Sequence, residues 1–72
     1  MKITDAASFG KTLCTRRKEL GYTQKYLSEF TGLSVSFISD LENGKPTIEL
    51  GKALQLANLL ALDCNLSTRG KA

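Results

Sequence analysis

Apolar residues recur at helical spacing along most of the chain. Phe9, Leu13, Arg17 and Leu20 stand at i, i+4, i+8 and i+11, which is one helix face interrupted by a charge. Gly21 follows as a stop, so the pattern predicts a first helix over residues 6–20. Thr23 is placed to cap a second helix over 24–31, which Gly32 breaks. Ser34 then caps a third helix over 35–43, with Gly44 as its stop. Pro46 ends that turn, and Thr47 is placed to cap a fourth helix over 48–61. Its inner stripe is expected to be Leu50, Leu54, Ala57 and Leu60.

The tail changes period. Leu62, Cys64 and Leu66 alternate with Asp63, Asn65 and Ser67, a half-buried strand signal over residues 62–68. One strand alone in a helical domain is not stable, and the simplest partner is the same strand of a second subunit. The bland alternative is a frayed polar tail. Leu56 and Leu59 lie off the expected inner stripe of the fourth helix. Two readings stand for them: a subunit interface, or packing beneath the tail.

Two charges fall on inward faces. Arg17 sits among Phe9, Leu13 and Leu20, and Glu42 lies one turn past Ile38 beside Leu41. A charge facing a core needs a partner, so an Arg17–Glu42 ion pair joining the first and third helices is expected. That makes Arg17 structural before it is a ligand for anything else, although a guanidinium has donors enough for both.

Composition narrows the class. Apolar residues make up 42% of 72 residues, enough for a folded globule rather than a disordered chain. At this length one domain spanning 1–72 is expected, and its small core makes self-association a natural remedy. No apolar run approaches the ~20 residues of a membrane span, and the opening Met1-Lys2-Ile3-Thr4-Asp5 is unlike a secretory signal. The expectation is a cytoplasmic protein without membrane contact. Cys14 and Cys64 are far apart and histidine is absent, so neither a metal site nor a cofactor is expected. With no Gly-rich phosphate loop and no nucleophile–base pair, the chain does not read as an enzyme.

Net charge is +3, and it is unevenly spread. Lys2, Lys11, Arg16, Arg17, Lys18 and Lys25 face only Asp5 and Glu19 in the first third of the chain. Residues 26–63 are acidic on balance, and Arg69 and Lys71 return the tail to positive. Clustered basic charge permits nucleic-acid binding without requiring it. Two short helices joined by about three residues around a glycine give the outline of a helix-turn-helix over residues 23–44.

Three segments make the likeness specific: Leu20-Gly21-Tyr22-Thr23-Gln24-Lys25-Tyr26-Leu27, Gly32-Leu33-Ser34, and Ile38-Ser39-Asp40-Leu41-Glu42-Asn43-Gly44-Lys45. At this spacing the chain resembles the Cro and lambda-repressor-like (XRE-type) helix-turn-helix family over about residues 8–61. With its Leu-rich last helix and alternating tail it is similar to the HipB-type antitoxins. The resemblance implies an all-α, compact four-helix domain with a short C-terminal β-strand that pairs across a homodimer. It implies a repressor of its own operon, and a HipA-like kinase toxin as partner. Leu56, Leu59, Leu62, Cys64 and Leu66 are then the expected dimer contacts.

The resemblance also implies how duplex DNA is held. The second helix lies across the backbone and the third enters the major groove. Thr23, Gln24 and Lys25 match backbone-contacting positions at the start of the second helix, where helix dipoles favour phosphate. Asn43 and Lys45 match backbone-contacting positions after the third, and Lys11 is a lesser contributor. Base reading falls to Ser34, Val35, Ser36, Ser39 and Asp40, with Val35 and Phe37 placed for thymine methyl groups. None of these is an Arg, Lys, Asn or Gln, the side chains that make bidentate base contacts. Direct readout is therefore expected to be mild, and water and DNA shape to matter. Asp40 either accepts from a cytosine amino group or simply repels phosphate. A dimer implies palindromic half-sites. Two other readings remain open from the residues: a free-standing phage- or host-type regulator without a toxin, and a protein-interaction module on the same scaffold.

Overall fold

Four helices follow one another in the computed structural model, which describes residues 2–69: α1 (Ala6–Glu19), α2 (Gln24–Thr31), α3 (Val35–Glu42) and α4 (Leu50–Leu59). Lys71 of the basic tail lies outside the described residues. A side chain opens each helix. Asp5 accepts from the Ser8 N–H at 2.8 Å, and Ser8 Oγ accepts in return from the Asp5 N–H at 3.1 Å. The Ser8 backbone N–H, and then its hydroxyl, hold the Asp5 carboxyl below its ordinary range. Thr23 and Ser34 cap α2 and α3 by accepting from Tyr26 and Phe37.

The core is formed by Leu13, Leu27, Ile38, Leu41, Ala53, Leu56, Ala57 and Leu60, one or more from every helix. Phe9, Tyr22, Leu33, Phe37, Ile48 and Leu62 pack around it. Burying this set supplies most of the folding drive, since helices this short are marginal alone. α1 packs on α3 at Gly10, which is buried. A Cβ built there would collide with the Leu41 carbonyl oxygen, so the helix contact depends on the missing side chain.

α1 and α3 each end one residue earlier than predicted, with Leu20 and Asn43 as caps. Leu20 is exposed rather than part of the inward stripe, because the chain leaves the helix there and Gly21 turns it at φ +77°.

α4 departs further. It starts two residues late because Glu49, not Thr47, caps it, accepting from the Lys52 N–H at 2.8 Å. Ile48 stays outside the helix and turns toward the core. Its buried stripe is Ala53, Leu56, Ala57 and Leu60, while Leu50 is 65% exposed. The expected subunit contact at Leu56 is therefore corrected: its exposure is 0%, leaving it no surface to offer a partner. The two alanines, Ala53 and Ala57, let the helix seat closely on that face. The helix stops at Leu60, and Ala61 adopts the left-handed conformation at φ +59°. The Leu62 N–H then donates back to the Ala57 carbonyl at 3.0 Å, and the Ala61 N–H to Asn58 at 3.0 Å.

Beyond α4 the chain is irregular. Among the described residues there is no strand, and residues 63–69 are exposed and form no backbone hydrogen bond. Leu62 packs on the core, whereas Cys64 and Leu66 are exposed. No helix among the described residues is long and apolar enough to cross a membrane, and no cluster of metal-ligand residues occurs among them.

Candidate nucleic-acid interface

The relation between α2 and α3 begins at their turn. Gly32 takes φ +81°, and its N–H donates to the Ser28 carbonyl at 2.9 Å. Thr31 Oγ1 donates to the Leu27 carbonyl at 2.7 Å and accepts from the Leu33 N–H at 3.1 Å. The Gly32 and Leu33 N–H groups of the turn are thus both bonded, and Leu33 packs against the core.

A second link closes the far ends of the two helices. Arg17 is 8% exposed. Its Nε donates to Glu42 Oε2 at 2.7 Å and its Nη2 to Oε1 at 3.0 Å, a bidentate pair from α1 to the last turn of α3. Nη1 donates to the Tyr22 carbonyl at 2.8 Å, and Nη2 approaches Cys14 Sγ at 3.7 Å. Those contacts occupy the guanidinium inside the fold. Glu42 Oε1 also accepts from Gln24 Nε2 at 3.0 Å. Burial alone would raise the Glu42 pKa. The hydrogen bonds from Arg17 and Gln24 outweigh it, and the carboxyl ionises below its ordinary range. No buried side-chain polar atom among the described residues is left without a partner.

Gln24 is attached on one side and keeps a donor on the other. One amide N–H is held by Glu42, and a second remains, because a primary amide has two. At the same end of α3, Asn43 Nδ2 donates to Ser39 Oγ at 3.4 Å. The Lys45 ammonium lies 3.5 Å from Asp40 Oδ2. Thr23, Lys25, Asn43 and Lys45 are all exposed.

The expected reading positions divide. Ser36 and Val35 are exposed, and Ser39 and Asp40 are half-buried. Ser34 is exposed; its oxygen accepts from the Phe37 N–H at 3.0 Å, and its O–H is left to donate. Phe37 does not belong with Val35 as a methyl-contacting residue: it packs on the core, with Lys52 Nζ 5.9 Å from its ring centre.

Two features had no counterpart in the sequence reading. Arg16 Nε donates to the Leu60 carbonyl at 2.9 Å, which ties α1 to the end of α4. The acceptor is a backbone group, so no residue type announces it. Tyr22, Tyr26 and Phe30 form an aromatic row, with ring centres 5.0 Å and 6.1 Å apart. Their four-residue spacing was the available signal, and Tyr26 and Phe30 are exposed.

Comparison with known proteins places these features in context. A helix-turn-helix family profile matches residues 15–66. The chain is 34% identical over 70 residues to an uncharacterized HTH-type transcriptional regulator, y4mF, of Sinorhizobium fredii, covering 97% of this chain and 92% of that protein. Its fold is similar to that of HipB in a complex with an O4 20mer, at TM-score 0.84, 24% identity and coverage of 94% and 96% of the two chains. A variant HipB in a complex with an O2 20mer gives TM-score 0.85 at 24% identity, covering 94% of each chain.

Proposed function

Because the chain belongs to the helix-turn-helix family, we propose that it binds operator DNA in a sequence-specific manner, as a homodimeric transcriptional repressor. The observation that carries this reading is the Gln24–Glu42 bond. It holds the first turn of α2 against the last turn of α3, so one unit carries the exposed side of α3 together with two sets of backbone donors, residues 23–25 and residues 43–45, gathered beside the end of that helix. α3 enters the major groove. Thr23, Gln24 and Lys25 hold one phosphate run, and Asn43 and Lys45 hold another. Val35, Ser36, Ser39 and the Ser34 hydroxyl meet the bases, with DNA shape supplying the rest of the preference.

The dimer is formed by Leu59 and the tail, with Leu62, Cys64 and Leu66 on the shared side. An irregular segment without internal backbone pairing and with a fully exposed Leu66 gains from pairing with its copy. Two copies place two α3 helices on a palindrome. The sequence resemblance to the HipB-type antitoxins is the ground for an antitoxin and autorepressor role beside a HipA-like kinase toxin, and the HipB complexes share the fold. A gene for such a toxin next to this one is the observation expected. A lone gene leaves the free-standing regulator; the y4mF relative is described as an HTH-type transcriptional regulator.

Selection of binding sites from random duplex DNA tests the reading. A palindromic consensus is expected. Gln24→Ala and Lys45→Ala should each weaken binding to all duplexes, and Lys45→Ala, which removes a cation, should also lower the salt slope. Unchanged affinity of both variants at low salt would remove the backbone role, and salt-insensitive behaviour of the parent protein would favour a protein-interaction module.

A further inference from the structure

Lys45 follows α3 in the turn that carries Asn43 and Gly44. Its N–H donates to the Asp40 carbonyl at 3.0 Å, and its ammonium lies 3.5 Å from Asp40 Oδ2. Gly44 makes both contacts possible. At φ +80° it folds the chain back over the last turn of α3, and its lack of a Cβ lets it sit against Ala7. The main chain thus sets Lys45 beside a residue five positions earlier. Both side chains remain about half exposed, at 53% and 45%. A pair in that setting is weak and exchanges readily for another anion.

α3 carries two carboxylates with opposite fates. Glu42 is turned inward and bonded to Arg17 and Gln24. Asp40 is turned outward, toward solvent and Lys45. On a helix that meets a phosphate polymer, an outward carboxylate opposes binding to every sequence. Lys45 alone would favour binding to every sequence. Held together, they present almost no net charge.

We propose that Asp40 is an internal counter-anion for Lys45 that keeps the sequence-independent hold on DNA weak. This inference rests on the DNA-binding reading above. In the free protein Asp40 occupies the ammonium. On DNA a phosphate shares or replaces it, which an ammonium with three donors accommodates. Part of the attraction between Lys45 and phosphate is offset by the bond surrendered to Asp40 and by the carboxylate left nearby. Random DNA is therefore released easily, and retention depends on what α3 finds in the groove.

A double-mutant cycle on the full chain tests this. Asp40→Asn, Lys45→Gln and the double variant are titrated by fluorescence anisotropy against a random duplex and a duplex recovered by selection, over a range of salt. Asp40→Asn is expected to tighten binding to both duplexes about fivefold. It should also steepen the salt slope by about 0.9. In the Lys45→Gln background both effects should shrink clearly, to the residual repulsion of an unpaired carboxylate. Equal tightening in both backgrounds would reduce Asp40 to independent repulsion and overturn the proposal. Weakened binding to the selected duplex alone would make Asp40 a base reader, and overturn it as well. Absence of salt-dependent binding by the parent protein would instead remove the DNA-binding reading on which the proposal rests.

Discussion

Gln24 and Arg17 donate to the same oxygen, Glu42 Oε1, each at 3.0 Å. Three helices meet at that atom: α1 through Arg17, α2 through Gln24 and α3 through Glu42. An ion pair that joins α1 to α3 also sets how α2 is seated against the end of α3.

Removing one partner leaves a charge stranded in a site where the two side chains are 10% and 5% exposed. Glu42→Ala is expected to cost about 3–5 kcal/mol, a large share of what so small a domain has. The paired replacement Arg17→Met with Glu42→Leu should recover most of it, because apolar groups of similar volume need no partner. Urea denaturation of both variants checks the contrast.

The same carboxylate makes stability depend on pH. Glu42 ionises below its ordinary value of 4.5 in the fold, so its contribution is whole above the unfolded-chain value. It is lost as pH falls through the lower folded value. Asp5, also held below its ordinary 3.8, acts in the same direction. Thermal melting between pH 7 and pH 2 should show stability falling below about pH 4.5, with a smaller fall in the Arg17→Met, Glu42→Leu variant.

Ala61 occupies a backbone conformation that costs an L-residue with a side chain roughly 1–2 kcal/mol. Ala61→Gly should relieve much of this, raising stability by about 1 kcal/mol and the melting temperature by roughly 4–8 °C. A melting temperature that stays level or falls would contradict the role assigned to that φ.

Gly10→Ala tests the α1–α3 contact. The added methyl meets a backbone carbonyl that cannot rotate away, so a loss of about 1–3 kcal/mol is expected despite the better helix propensity of alanine. Calorimetry gives the sign directly.

The dimer proposal has its own check. Leu66→Asp places a charge at the fully exposed apolar position of the tail. It should shift the protein toward monomer in sedimentation at micromolar concentration while leaving the melting temperature of the isolated domain nearly unchanged.

How much of this was legible varies by element. The bounds 24–31 and the caps Thr23 and Ser34 could be read because each carries a local sign: a hydroxyl before the helix, a glycine after α2. The Arg17–Glu42 pair could be anticipated because two charges on inward faces demanded one another. α4 resisted the same reasoning. Its cap is a glutamate, its left-handed exit residue is an alanine, and its apolar residues nearly circle the axis. Two stripes were available, and only packing against the other helices selects the one containing Leu56. The Arg16 bond to Leu60 depends on where the backbone goes, which no residue type encodes, and Gly44 signals a turn without telling which residue Lys45 returns to.

α3 faces two ways with little overlap. Ile38, Leu41 and Glu42 anchor it inward, while Val35 and Ser36 are exposed and contribute little to that anchorage. The outward positions can drift in sequence at small cost to folding. A lineage of such proteins is then free to explore new target sites by exchanging a few surface residues, while inheriting the scaffold intact.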